Sequence, residues 1–115
     1  MSLQKKGFLD HKNLVKILKE YILYEIEHEK TQYIHLSPIK VQKFAKIEFN
    51  AVERTFISQL IKQIVKLAEK EVEIHQFEKK SGRKLRKVFL IPKNATIIQK
   101  LKNAEVEEIL DMLSS

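Results

Sequence analysis

Cysteine is missing from this 115-residue chain, and glycine and proline occur only twice each. Without thiols there is no disulfide scaffold, no thiolate zinc site and no cysteine nucleophile. The same absence suits a reducing, cytoplasmic setting. Scarcity of the two residues that interrupt regular structure predicts long elements, helices above all. It also excludes a glycine-rich loop that cradles phosphate. No stretch approaches about 18 consecutive apolar residues, so no membrane-spanning helix is expected. The opening MSLQKKGFLDHK lacks the apolar core of a secretory signal.

Acids are missing from one place in particular. Residues 79–93 hold seven basic side chains, Lys79, Lys80, Arg83, Lys84, Arg86, Lys87 and Lys93, and no Asp or Glu. Taking those seven from the 22 lysines and arginines leaves 15 basic residues against 15 acidic ones, so the net charge of +7 sits in this one segment. Charge added for solubility would be spread over the chain. A focused excess is the footprint of a surface that holds a polyanion.

What is present suffices for one core. Apolar residues make up 43% of the chain, too many for a disordered segment, and 115 residues suit a single domain over 1–115. The richness in Lys, Ile and Glu leans toward hyperthermophile composition, which AT-rich genomes also produce.

From Asp10, a cap, to Lys30, the residues Leu14, Ile17, Leu18, Tyr21, Ile22 and Ile26 recur at helical spacing. Tyr33, Ile34 and Leu36 predict one brief strand. Ser37-Pro38 reads as an N-cap and first-turn proline, opening a short helix to about Glu48. Asn50 and Glu53 have the spacing of a capping box. The helix behind them carries Val52, Phe56, Leu60, Ile64 and Leu67 as its stripe, broadened by Ile57, Ile61 and Ala68. The period then changes from helical to alternating. Residues 71–91 read as a β-hairpin turning at Ser81-Gly82, with the basic cluster at its tip. A last helix is expected over 94–113, starting near a capping Asn94, with Asn103-Ala104 as a point of weakness.

Catalytic signatures are missing. No Ser/His/Asp set or paired buried carboxylates stand out, so no enzymatic activity is expected. The spacing of His11, His28, His35 and His75 fits no zinc motif, and Glu25 with His28 reads as a surface pair. No metal, cofactor or small-molecule ligand is expected.

The order helix, strand, helix, helix, strand, basic turn, strand, helix resembles the winged helix-turn-helix DNA-binding fold, of the type seen in archaea and their viruses. The fold class expected is thus mainly α with a small β-hairpin (α+β). The resemblance covers about residues 10–92. It rests on element order and on PIKVQKFAKIEFNAVERTFISQLIKQIVKLAEKE, similar to the family's paired helices. Phe44-Ala45 stands where the family often has an apolar residue followed by Ala. The turn IEFNA lacks the family's frequent glycine.

The resemblance implies that the helix over 51–70 enters the DNA major groove, with the basic wing 79–87 on the backbone. A groove about 12 Å wide admits one helix. Arg54 then suits guanine, Gln59 or Gln63 adenine, Thr55 and Ser58 either base or phosphate, and Lys62 phosphate. Lys79, Lys80, Arg83, Lys84 and Arg86 would neutralise phosphates. Ser37 and Lys40 offer a further phosphate contact at a helix start. Glu53 reads as a cap rather than a base contact. The function expected is sequence-specific binding of double-stranded DNA by a small transcriptional regulator. The alternatives are an architectural or replication-associated DNA binder, and a protein-interaction winged helix whose hairpin meets an acidic partner or an anionic membrane. The long first helix and the wide apolar stripe of 94–113 predict a homodimer. Glu105, Glu107, Glu108 and Asp111 would keep that end off DNA.

Overall fold

The computed structural model describes residues 10–82 and 84–114. Among these residues the chain is α+β, with five helices and a three-stranded antiparallel sheet. In chain order the elements are α1 (His11–His28), β1 (Tyr33–Leu36), α2 (Pro38–Ala45), α3 (Ala51–Glu69), β2 (His75–Ser81), β3 (Lys84–Pro92), α4 (Thr96–Asn103) and α5 (Val106–Leu113). α1 is the hub, with α2, α3, α4, α5 and β1 all packed against it.

α1 starts where Asp10 accepts the Asn13 N–H at 2.8 Å. Its buried apolar face is Leu14, Val15, Leu18, Tyr21 and Ile22. Each such side chain taken out of water contributes about 1.5–3 kcal/mol. Ile17 and Ile26, expected on the same stripe, are half-buried against this core. α2 opens on Ser37, whose hydroxyl accepts the Lys40 N–H, with Pro38 in the first turn. It stops at Lys46, which takes a left-handed φ of 58°. The glycine-free turn is held by Gln42, whose side-chain oxygen accepts the N–H of buried Phe49.

The sheet order is β1-β3-β2. Ile34 pairs with Ile91 and Leu36 with Phe89, and Ile34, Leu36 and Ile91 are fully buried under the helices. The outer edge of β1 is closed by α1. The His35 N–H donates to Glu25 Oε1 at 2.8 Å, and the Tyr21 hydroxyl donates to the His35 carbonyl. Burial, then the neighbouring Glu25 carboxylate, push the Tyr21 phenol far above its ordinary range.

Four expectations shift. The core stripe of α3 is rotated onto Ile57, Leu60, Ile61, Ile64, Val65 and Ala68, while Val52 is 69% exposed and Phe56 and Leu67 are half-buried. The sheet draws this rotation, because its buried side needs the Ile57–Ile61 flank. β2 begins at His75 rather than Glu71, because the amides of Glu71 and Val72 both bond to the Ala68 carbonyl and close the end of α3. Val72 and Ile74 pack on the core from outside the ladder. Ser81 pairs with Lys84, which puts the hairpin tip one residue later than a turn centred on Ser81-Gly82. Gly82 supplies the positive φ, 64°.

The fourth concerns the C-terminal segment, which is two helices. Ala104 is extended between them, and Glu105 and Glu108 form a capping box that restarts the chain as α5. α4 follows Ala95, with no side-chain cap from Asn94. Glu71 instead accepts the Thr96 N–H. Ile97, Ile98, Leu101, Ile109 and Leu113 are buried in the chain's own core. The wide stripe read as a dimer surface is therefore largely consumed within one molecule.

Candidate nucleic-acid interface

α3 has 19 residues and so is roughly 28 Å long. Its start is fixed by a reciprocal cap. Asn50 Oδ1 accepts the Glu53 N–H at 2.8 Å, and Glu53 Oε1 accepts the Asn50 N–H at 2.9 Å. Glu53 is only 2% exposed, so this acid adds nothing to the outward face.

That face is polar and cationic. Arg54, Thr55, Ser58, Gln59 and Lys62 line one shallow surface with Ala51, following the three- and four-residue spacing of a helix flank. The Thr55 hydroxyl donates to the Ala51 carbonyl at 2.9 Å. Its remaining lone pairs can accept from a base amino group, and it has no spare proton for a phosphate. Gln63 lies round the flank, in a groove it shares with His11, Phe56 and Phe89.

The hairpin brings its charges onto both faces. Lys79 stands opposite Arg86, Glu78 opposite Lys87 and Lys80 opposite Leu85. Alternation along a strand then gives Lys79 and Arg86 one face and Lys80 and Lys87 the other. Lys79 and Lys80 are exposed. Arg83 and the side chain of Lys84, both expected in the wing, lie outside the described residues.

The root of the hairpin meets α3 and the start of α2 around a hollow of about 250 Å³. Ser58 and Lys62 reach it from α3, Arg86 and Lys87 from β3, and Ser37 and Pro38 from α2. Arg86 Nε is buried without a hydrogen-bond partner among the described residues. Such an unmet donor costs about 1–3 kcal/mol. Ser37 is fully buried with its hydroxyl engaged as the cap of α2, and Lys40 is not among the residues around the hollow. Lys87, left out of the expected contacts, lines it together with Lys62. Its place in the basic run was the available signal.

Between α1 and β1, Glu25, Glu29 and His35 form a group of possible metal ligands. Glu25 thus meets His35, while His28 stacks on Tyr24 with its Nδ1 at the Tyr24 carbonyl. Compared with protein-family models, curated proteins and solved structures, the chain matches none.

Proposed function

We propose that the protein binds double-stranded DNA as a small winged helix-turn-helix module, with α3 in the major groove and the β2–β3 hairpin as its wing. One observation carries this reading. The exposed face of α3 and the root of the basic hairpin form one continuous surface, joined at the hollow shared by Ser58, Lys62, Arg86 and Lys87.

The sheet order and the hairpin position are compatible with that fold. This surface supplies two kinds of group. Arg54 and Gln59 are exposed and have the donor geometry for guanine and adenine edges. Lys62, Arg86 and Lys87 suit backbone phosphates, which set register without reading sequence. Base-reading side chains on a face that packing leaves free favour a transcriptional regulator over an architectural binder. A two-fold dimer would draw on the apolar hollow of Val52, Phe56 and Leu110 between α1, α3 and α5.

Selection from a random duplex pool at low and moderate salt tests the reading. Enrichment of a motif is the expected result, and a palindrome with half-sites about 34–36 Å apart would add the dimer. Retention without enrichment would replace regulation with architectural binding. No retention would remove DNA from the account and leave an acidic partner for the hairpin.

A further inference from the structure

Glu25 and Glu29 stand one turn apart at the C-terminal end of α1, and His35 comes from β1 just beyond the connecting turn. One oxygen from each carboxylate and one imidazole nitrogen all lie within 4.8 Å of one another. His35 Nδ1 is 3.5 Å from Glu25 Oε1 and 3.5 Å from Glu29 Oε2.

These distances decide what the group is built for. A charge-assisted N–H···O bond runs about 2.7–2.9 Å, and neither contact is that short. Ligand bonds of about 2.0–2.2 Å around a tetrahedral ion give ligand–ligand edges of roughly 3.3–3.6 Å. Both contacts fall in that range.

The carboxylates are also held from outside the trio. The second oxygen of Glu29, Oε1, accepts the Lys30 N–H at 3.1 Å, which turns Oε2 toward the imidazole. Tyr21 stands beside Glu25 and fixes the strand that carries His35. Outer hydrogen bonds of this kind orient the ligands of metal sites. Among the described residues no lysine or arginine is ion-paired with either carboxylate. Lys93, the nearby cation, donates to the Glu29 backbone carbonyl. Two carboxylates one turn apart repel, and a bound cation would offset that repulsion. Side-chain exposure of 12% for Glu25, 23% for His35 and 28% for Glu29 leaves the group shielded but reachable.

We propose that Glu25, Glu29 and His35 bind a divalent first-row transition ion, with water completing the coordination. The imidazole selects against magnesium and calcium, and the two carboxylates against copper(I). Zinc fits the tetrahedral edges. The ion would pin the end of α1 to β1, and β1 pairs with the strand that runs out to the basic hairpin. This site stands whether or not α3 and the hairpin bind DNA.

The test uses the full chain, stripped with chelator and titrated with zinc in a calorimeter, then with cobalt(II) in a visible spectrometer. One zinc per chain is expected, with the intense visible bands of tetrahedral cobalt. Glu29→Gln and His35→Gln should each weaken zinc binding by at least about tenfold to a hundredfold, whereas His28→Gln and His75→Gln should leave it unchanged. Glu25 is spared as a test position because it also closes the edge of β1. Glu29→Gln touches only the most exposed ligand, so its melting curve without metal should match that of the unaltered chain. Absence of a saturable one-to-one site, or binding that survives both Glu29→Gln and His35→Gln, would overturn the proposal.

Discussion

The two outer strands of one sheet are built in opposite ways. β1 lies against α1. Its inward residues Ile34 and Leu36 are fully buried, and its outward edge at His35 is taken up by Tyr21 and Glu25. β2 touches only β3. Residues 75–80 are all exposed, Phe77 among them at 40%. An open edge invites pairing with other chains, and Lys79 and Lys80 guard against it. Packing explains Ile34 and Leu36 of β1. It explains few of β2, whose residues 75–80 are all exposed.

Substitutions can break that contrast, and the largest effect should fall on β1. Ile34→Ala should cost about 2–5 kcal/mol in urea denaturation, the usual range for emptying a fully buried aliphatic site. Phe77→Ala on β2 should stay within about 0.5 kcal/mol. Equal losses at the two positions would mean that β2 is as much a packing element as β1.

Arg54→Ala comes next. Arg54 is exposed and packing gives it no task. Its loss should leave stability unchanged but reduce discrimination at one base position by about 1–3 kcal/mol, read by competition between selected duplexes. Uniform weakening on all sequences would make it a phosphate contact instead.

Asn50→Ala sharpens the contrast from inside α3. It removes half of the capping box and should lower stability by about 1 kcal/mol, seen as an earlier denaturation midpoint with an unchanged slope. The smallest effect has the opposite sign. Lys46 holds a left-handed conformation that costs an L-residue roughly 1 kcal/mol. Lys46→Gly should recover part of that, and a lower midpoint would show that the lysine side chain makes a contact worth more than the strain.

What could be read from the sequence follows the same division. Local signals were legible. Asp10, Ser37-Pro38 and Asn50 with Glu53 mark three helix starts, and the run from Leu85 to Pro92 marks a strand. Three features were not, because each is set by what packs on what. The stripe of α3 was misplaced because Val52, Phe56 and Ile57 are equally apolar, and only the position of the sheet decides which are covered. The weakness at Asn103-Ala104 was legible, but the restart as a separate helix rests on a Glu105–Glu108 cap, and glutamate is an uncommon N-cap residue. The grouping of Glu25, Glu29 and His35 joins a helix face to a strand face. Spacing along α1 alone suggested His28 instead. In the interface, residue types pointed to the surface of α3 and to the basic run. The hollow that joins them, and the part of Lys87 in it, depended on hairpin register.

The central claim is that the hairpin root and α3 act as one DNA-binding surface. Its most direct test is a titration of labelled random-sequence duplex at several salt concentrations, using the unaltered chain and the double variant Arg86→Ala, Lys87→Ala. The account predicts salt-dependent binding by the unaltered chain. The variant should fold equally well, bind more weakly to all sequences, and show a log–log salt slope shallower by about two, one unit for each lost phosphate contact. Equal affinity and slope for both proteins, or no duplex binding by the unaltered chain at low salt, would contradict it.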